Sequence, residues 1–221
     1  MSDRLVDRLR RLDSGAVSDA CDQLGLYGRV STALHPMTGP VRLGGRVVTV
    51  LLGPPGEGES SDGTKRHLCA AAADAATPAD VIVVAHQGRT DCAGWGGNLS
   101  RAARHRGAAG TVVHGAVRDV DEAIEVGYAV FATTATPRTA RGRAEERAWG
   151  GTVSIDGIAV ATGDYVIADS TGVVFVAAAD IERVLAAGEA IVAKEAAMAA
   201  ELDAGRPVSD VMGAGYETML E

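Results

Sequence analysis

The sequence is poor in aromatic side chains, and its two phenylalanines are Phe131 and Phe175. The core must therefore be built mainly from Val, Leu, Ile and Ala, within 221 residues that suffice for one domain of ordinary size. Lysine is nearly absent as well, with Lys65 and Lys194 as its only occurrences. Because Schiff-base catalysis needs a desolvated lysine, the sequence offers few residues for that chemistry.

Excess positive charge and long apolar runs are also missing. The net charge of −8 argues against nucleic-acid binding, which selects for a basic face. No uninterrupted apolar run could span a bilayer, and the charged start of the chain does not resemble a signal peptide. Three cysteines without paired spacing indicate neither a disulfide framework nor a zinc site. We therefore expect a cytoplasmic protein with no nucleic-acid or membrane partner.

Strand and helix patterns alternate through the middle of the chain. Such alternation predicts βαβ units and a sheet that is at least partly parallel. The predicted strands and helices of this part are 47–52 (strand), 65–75 (helix), 81–85 (strand), 98–105 (helix), 111–113 (strand), 120–125 (helix) and 129–131 (strand).

The pattern changes towards the end of the chain. Residues 153–176 read as antiparallel strands, with Asp156-Gly157 as a two-residue hairpin turn. A long helix over 179–202 and a short one over 207–220 follow, while helices at 3–13 and 14–24 open the chain. No repeat or linker divides the sequence, so we expect a single domain over 1–221.

A glycine-rich turn leads directly into the predicted helix at residue 98. Its letters are G-W-G-G-N-L, from Gly94 to Leu99. Free backbone N–H groups at a helix start favour an anion, and glycine lets a ligand approach the backbone closely. The alternative is a tight connection without a ligand. Trp95 either lines such a site or packs in the core.

A second candidate segment, G-A-V-R-D, follows the strand at 111–113 and ends with Arg118 and Asp119. Ligands of open α/β sheets gather beyond the carboxyl ends of parallel strands. There, a guanidinium can bind a carbonyl or carboxylate, and a carboxylate can bind a divalent cation. The alternative is that Asp119 is only the N-cap of the helix at 120–125.

These segments together resemble the RraA-like family, which includes the regulator of ribonuclease activity A and the 4-hydroxy-4-methyl-2-oxoglutarate aldolases. The resemblance spans most of the chain. In the middle of the chain it is carried by the glycine-helix segment, by the spacing from this segment to G-A-V-R-D-V-D-E, and by the later T-P-R with Gly142. Near the start of the chain it includes V-S-D-A at 17–20. Near the end it includes the stretch from Gly163-Asp164 through Ala168-Asp169 to Gly172-Val173-Val174.

The resemblance implies an α/β chain with a single-domain α-β-β-α layered fold of the swivelling β/β/α kind. Such a fold has a central mixed sheet, an antiparallel β segment and a long C-terminal helix. Family members assemble as trimers or paired trimers, so we expect a homotrimer or homohexamer. In it, the helix and tail at about 179–221 would pack on a neighbouring subunit.

The resemblance also implies the roles of individual site residues. Arg118 contacts the substrate carbonyl, and Asp119 is the one direct protein ligand of a divalent metal, Mg²⁺ or Mn²⁺. Water supplies most other ligands. The substrate carboxylate is held by the backbone of four residues, namely Gly96, Gly97, Asn98 and Leu99.

The implied activity is that of a class II, metal-dependent lyase that cleaves a C–C bond of a 2-oxo-acid. Retro-aldol cleavage of a 4-hydroxy-2-oxo-acid and decarboxylation of an oxaloacetate-type acid both leave an enolate. Positive groups aimed at the carbonyl oxygen stabilise the transition state. Neither lysine lies near the motif in the sequence, which also favours the metal route.

The sequence departs from the family pattern at two positions. Gly97 stands where family aldolases often carry Asp or Glu, and His114 stands where related sequences often have Asp. His114 is either a titrating group facing the site or a packed core histidine. A family carboxylate that comes from a neighbouring subunit corresponds loosely to Glu195, whose alternative is a solvated helix face.

These departures keep two other hypotheses open. One is a non-catalytic binding protein like the family's ribonuclease regulator. The other is a related enzyme with a different reaction on a carboxylated metabolite, in which His114 replaces the missing carboxylate.

Overall fold

The computed structural model describes residues 3–56 and 67–212. Its helices are α1 (Arg4–Leu9), α2 (Ser14–Gln23), α3 (Ala70–Ala75), α4 (Gly97–Arg106), α5 (Val120–Glu125), α6 (Ile181–Asp203) and α7 (Val208–Val211). Its strands are β1 (Val30–Ser31), β2 (His35–Pro36), β3 (Leu43–Gly53), β4 (Asp80–Trp95), β5 (Gly110–Val117), β6 (Ala129–Ala135), β7 (Glu145–Trp149), β8 (Thr152–Ile155), β9 (Ile158–Ala161), β10 (Tyr165–Ala168) and β11 (Val173–Val176).

Nine strands of the described chain form one mixed sheet. Strands β3, β4, β5 and β6 are parallel neighbours at its centre, and helices α3, α4 and α5 connect them. Antiparallel strands extend the sheet on both sides, in the order β1-β11-β10-β3-β4-β5-β6-β2, with β7 paired to β3. The mixed α/β fold, its antiparallel segment and the long C-terminal helix are confirmed.

The parts of the central strands that pair in regular register are mainly apolar, because both faces of the sheet are covered there. On one face, α3, α4 and α5 pack over Ile82, Val84 and Val113. On the other face, the β8–β9 hairpin packs over Val83 and Val112. Asp156 and Gly157 turn this hairpin with φ of 51° and 81°, as predicted for a two-residue turn.

A third apolar cluster lies against the antiparallel side of the sheet. Helices α1, α2 and α6 pack there on β10 and β11, with Val17, Ile167 and Leu185 among the buried side chains. The first half of α6 touches α2 closely, since a β-carbon on Gly188 would lie 3.6 Å from the Ala16 carbonyl oxygen and 3.8 Å from the Ala20 β-carbon. This half of α6 is thus part of the chain's own core.

Several predicted bounds were wrong. Strand β4 continues past residue 85 to Trp95, and β5 continues past residue 113 to Val117. Strand β7 was missed because its letters, E-E-R-A-W, carry neither alternation nor an apolar run. The helix predicted at 65–75 begins only at Ala70, with residues 65 and 66 outside the described residues, and the one predicted at 3–13 ends at Leu9. The end of the helix predicted at 207–220 lies outside the described residues.

Within those described ranges, none of the helices combines the length and the apolar character that crossing a membrane would require.

Candidate active site

The carboxyl ends of β4 and β5 bring the two predicted segments together. Trp95 pairs with Val117 at the end of the parallel ladder, and the Arg118 N–H donates to the Trp95 carbonyl oxygen at 3.0 Å. The chain then enters α4 on one side and α5 on the other. The start of α4 and the Arg118-Asp119 pair are therefore neighbours, as expected for strand ends in an open parallel sheet.

Asp119 has a backbone conformation that non-glycine residues seldom adopt. Its φ of 55° and ψ of 42° lie in the left-handed region, which aspartate tolerates better than most residues. Its side chain makes no capping hydrogen bond to α5 and instead accepts the N–H of Gly97 at 3.1 Å. Asp119 thus stands at the N-cap position of α5, as the alternative interpretation expects, but its side chain does not cap that helix. Such uncommon backbone conformations cluster at functional sites.

Arg118 lies against the same carboxylate. Its Nε atom is 3.1 Å from Asp119 Oδ1 and 3.0 Å from Oδ2. Both side chains remain about one-third exposed, at 38% for Arg118 and 34% for Asp119. The pair therefore stays accessible to a ligand from solvent.

The first turn of α4 offers two further donors. The Gly97 amide is already bonded to Asp119, and the Ser100 amide donates to the Gly96 carbonyl oxygen at 3.0 Å. In the described chain, the amides of Asn98 and Leu99 have no acceptor. With the helix dipole behind them, these two N–H groups favour a small anion.

Glu122 and Arg101 are site residues that the sequence analysis missed. The Glu122 carboxylate fills the space beside Gly97, where a β-carbon would overlap its Oε2 atom. Arg101 donates from Nη2 to Glu122 Oε1 at 2.9 Å and from Nε to the same oxygen at 3.3 Å. The spacing of Asp119 and Glu122, three residues apart at a helix start, is the signal that could have indicated them.

Of the two roles considered for Trp95, the structure shows packing in the core. Trp95 is 2% exposed, its ring stacks with that of Tyr128 at a centroid distance of 6.4 Å, and its Nε1–H donates to Ser100 Oγ at 2.9 Å. These contacts fix the start of α4 relative to the sheet. Trp95 therefore supports the site by packing.

The structure does not bring His114 to Asp119. His114 Nδ1 accepts the N–H of Asp156, in the β8–β9 hairpin, at 3.2 Å. That hairpin covers the sheet face opposite to the one that α4 and α5 cover. Within this chain, His114 is therefore a partner of the hairpin turn.

Glu195 lies on an exposed part of α6, near the start of α2. Partial burial, and then repulsion from Asp13 and Asp19, raises the pKa of the Glu195 carboxyl. In its own chain this carboxylate belongs to the α2–α6 contact. Its contribution to a neighbouring subunit's site stays a prediction.

The residues around Asp119 match the ligand chemistry of a hard cation. Asp119 presents carboxylate oxygens, which Mg²⁺ and Mn²⁺ prefer as ligands. Among the residues that the structure describes, no three or more His, Cys, Asp or Glu side chains are grouped so as to hold a metal ion. An ion seated on Asp119 would therefore keep several waters, as Mg²⁺ usually does.

A cavity of about 470 Å³ lies elsewhere, at the amino ends of the parallel strands. Its lining includes Arg42, Arg104 and Tyr128. It is separated from Asp119 by the length of β5 and is not part of the candidate site.

Comparison with known proteins gives the family. The sequence model of the RraA-like family, described as Aldolase/RraA, matches residues 15–175. The chain therefore belongs to the RraA-like family. It is 31% identical over 172 residues to the protein DlpA of Legionella pneumophila, which covers 78% of this chain and 27% of that protein.

A second relative is a Burkholderia mallei protein whose name assigns it provisionally as a 4-hydroxy-4-methyl-2-oxoglutarate aldolase. It is 40% identical over 96 residues, covering 42% of this chain and 56% of the relative. The chain thus spans about a quarter of the length of DlpA and just over half of the length of the Burkholderia relative.

Solved structures show the same fold. An uncharacterized protein from Pseudomonas syringae pv. tomato aligns with a TM-score of 0.83 and 25% identity, over 96% of this chain and 98% of its own. Streptomyces coelicolor RraAS2, described as an unusual member of the RNase ES inhibitor RraA family, aligns with a TM-score of 0.77 and 23% identity. That alignment covers 91% of this chain and 97% of RraAS2.

Proposed function

We propose that the protein is a divalent-metal-dependent lyase that cleaves a C–C bond of a 2-oxo-acid. Its substrates would be 4-hydroxy-2-oxo-acids, through retro-aldol cleavage, and oxaloacetate-type acids, through decarboxylation. Membership of the RraA-like family and the aldolase name of the Burkholderia relative support this proposal.

The observation that carries the proposal is the position of the Asp119 carboxylate. It turns away from its own helix α5 and lies at the start of α4, beside the free amides of Asn98 and Leu99. A carboxylate, a guanidinium and two amides thus converge where the ends of β4 and β5 meet. This combination suits a metal-bound oxo-acid, whose carboxylate needs donors and whose carbonyl oxygen gains charge.

Each group has a separate task in this proposal. The amides of Asn98 and Leu99 hold the substrate carboxylate and fix its orientation. Arg118 keeps its Nε on Asp119, which leaves its terminal nitrogens free to donate to the substrate carbonyl oxygen. These donors stabilise the negative charge that reaches this oxygen as the C–C bond breaks.

Asp119 would hold the cation, with water at most other positions. When bound, the cation supplies a Lewis acid for the same carbonyl oxygen. Among the described residues, Lys194 is exposed on α6 and so lacks the desolvation that a Schiff-base lysine requires. The arrangement therefore favours the metal route over the lysine route.

The test is turnover of oxo-acids by the purified protein. We expect release of pyruvate from oxaloacetate and from 4-hydroxy-4-methyl-2-oxoglutarate in the presence of Mg²⁺ or Mn²⁺, and its loss in EDTA. Arg118→Ala should lower both rates, whereas Arg104→Ala, at the other end of α4, should leave them unchanged. Absence of metal-dependent turnover across a panel of oxo-acids and hydroxy-oxo-dicarboxylates would exclude the proposal.

The second candidate is a binding protein that inhibits a ribonuclease. It is favoured by Gly97, which lacks the carboxylate that family aldolases often carry at this position. Recovery of a ribonuclease in a pull-down, with equal recovery by Arg118→Ala, would favour this function over catalysis.

A further inference from the structure

We propose that Glu122 is the proton-handling carboxylate of the site, acting from the space that Gly97 leaves open. This inference rests on the proposed lyase function and adds a role that neither the family match nor the relatives' names assign. It concerns retro-aldol cleavage in particular, because that reaction requires a base and decarboxylation does not.

The absence of a side chain at residue 97 is what allows Glu122 into the site. A β-carbon at that position would overlap Glu122 Oε2 and would lie 3.1 Å from the β-carbon of Asp119. Glu122 Oε2 is therefore directly beside the first turn of α4, on the side where Asp119 lies. A chain with Asp or Glu at residue 97 would have to displace the Glu122 carboxylate.

The Glu122 carboxylate is held in a defined orientation. Both hydrogen bonds from Arg101 end on Oε1, at 2.9 and 3.3 Å, and Oε2 accepts none within the described chain. One oxygen is thus anchored, while the other faces Gly97 and the Asp119 side of the site. The Glu122 side chain is 33% exposed, so it is partly accessible to water.

This placement gives Glu122 a task that Asp119 and Arg118 cannot perform. In retro-aldol cleavage, the 4-hydroxyl group gives up its proton through a water to the Glu122 carboxylate, and C4 becomes a carbonyl. The C3–C4 electron pair moves to the enolate, solvent water then protonates C3 to form the oxo-acid product, and Glu122 releases its proton to solvent. Decarboxylation of oxaloacetate forms the same enolate by loss of CO₂, without removal of a hydroxyl proton.

The experiment compares both reactions in wild type, Glu122→Gln and the matched control Glu125→Gln, on the exposed side of the same helix. We expect Glu122→Gln to lose about 100-fold or more of retro-aldol turnover, the scale of general base catalysis. Its decarboxylation, its melting temperature and its affinity for Mn²⁺, measured by electron paramagnetic resonance, should stay close to wild type. Glu125→Gln should match wild type throughout.

A second test moves the carboxylate from residue 122 to residue 97. Gly97→Asp combined with Glu122→Ala should recover retro-aldol turnover relative to Glu122→Ala alone. In the background that keeps Glu122, Gly97→Asp should lower this turnover, because the two carboxylates would compete for one space. A double variant no better than Glu122→Ala would contradict a carboxylate role at this position.

The outcomes separate this inference from the function on which it rests. Equal retention or equal loss of both reactions in Glu122→Gln overturns the role of Glu122 and leaves the lyase function standing. A wild-type protein that decarboxylates oxaloacetate but cleaves no hydroxy-oxo-acid also overturns it. A wild-type protein inactive in both reactions removes the lyase function, and the role of Glu122 with it.

Discussion

At the scale of single residues, the backbone of Asp119 explains how its side chain reaches the site. In a regular helix start, this side chain would cap α5. The left-handed conformation turns it instead towards the amide of Gly97, on a different helix. The conformational cost is of the order of 1 kcal/mol and is accepted where the position of the carboxylate matters.

Replacing Asp119 by Asn separates charge from conformation, because asparagine also tolerates the left-handed region. We expect Asp119→Asn to lower lyase turnover by about 10²–10³-fold, as loss of one stabilising group in a preorganised site does. Its free energy of unfolding should change by less than about 1 kcal/mol, since the ion pair with Arg118 is partly exposed. Steady-state kinetics and urea denaturation measure the two effects.

Their position after a buried strand made Arg118 and Asp119 candidate site residues, and the family resemblance assigned their roles. The sequence could not indicate that Asp119 bonds Gly97, since this contact depends on the uncommon φ of one residue. Glu122 was missed for a related reason. Its position beside Gly97 depends on how α4 and α5 pack, which no local pattern specifies.

At the scale of elements, strand β4 forms an arm beyond the regular ladder. Between the Ala85–His114 pair and the Trp95–Val117 pair, β4 contains many more residues than β5, and these extra residues form the arm. The buried imidazole of His86 lies beneath this arm, with Nε2 2.9 Å from the Cys92 carbonyl oxygen. Burial lowers the pKa of His86, which favours the neutral form of the ring. Sequence patterns predicted only the regular part of β4, because the arm is shaped by these tertiary contacts.

Gly115 makes room for this arm. Its φ is +149°, and a β-carbon there would lie 2.9 Å from the Arg89 carbonyl oxygen and 2.9 Å from the His86 β-carbon. Gly115→Ala should therefore destabilise the protein by about 1–3 kcal/mol through overpacking, in addition to the cost of positive φ. Gly150→Ala is the control, since Gly150 also has positive φ but has open space around it. Equal losses in urea denaturation would contradict the packing argument.

Asp169 joins β10 to the start of α2. It accepts the N–H of Ser14 at 2.8 Å, the Ser14 hydroxyl at 2.7 Å and the N–H of Thr171 at 2.9 Å. Burial, the largest single influence, acts to raise the pKa of Asp169, but these hydrogen bonds together outweigh it and lower the pKa. The ionised form thus stabilises the fold at neutral pH, above the pKa of the unfolded chain.

This stabilisation is lost as the pH falls through the lowered pKa of folded Asp169. Asp169→Asn should therefore lower the free energy of unfolding by about 1–3 kcal/mol at pH 7. The difference from wild type should shrink as the pH approaches 3. Asp121→Asn, on the exposed surface of α5, is the control and should keep a free energy of unfolding close to that of wild type. A constant difference from pH 7 to pH 3 would refute the role of the ionised carboxylate.

At the scale of the whole molecule, the alternation of strands and helices predicted the parallel centre, and the hairpin turn predicted the β8–β9 pair. The flanking strands β1, β2 and β7 were not predicted. Each is short, and its pairing with a distant strand stabilises it more than its own residues do. The order of strands in the sheet likewise depends on these distant pairings.

The assembly of subunits is a prediction at this scale. We propose that the chain forms a trimer or a pair of trimers, with the exposed second half of α6 and the segment that follows it against a neighbour. Leu202, Val208 and Met212 have more than a third of their surfaces exposed in the single chain, which is consistent with such a contact. Light scattering coupled to size exclusion should give three or six times the mass of 22.6 kDa. A monomer at micromolar concentration would rule out this arrangement.

The most direct test of the central claim is a crystal structure of the protein grown with Mn²⁺ and oxalate. We predict an anomalous manganese peak at coordination distance from the Asp119 carboxylate. The oxalate should lie against the amides of Asn98 and Leu99 and against Arg118. A cation and an oxalate bound together elsewhere, or no manganese peak at Asp119, would contradict the account.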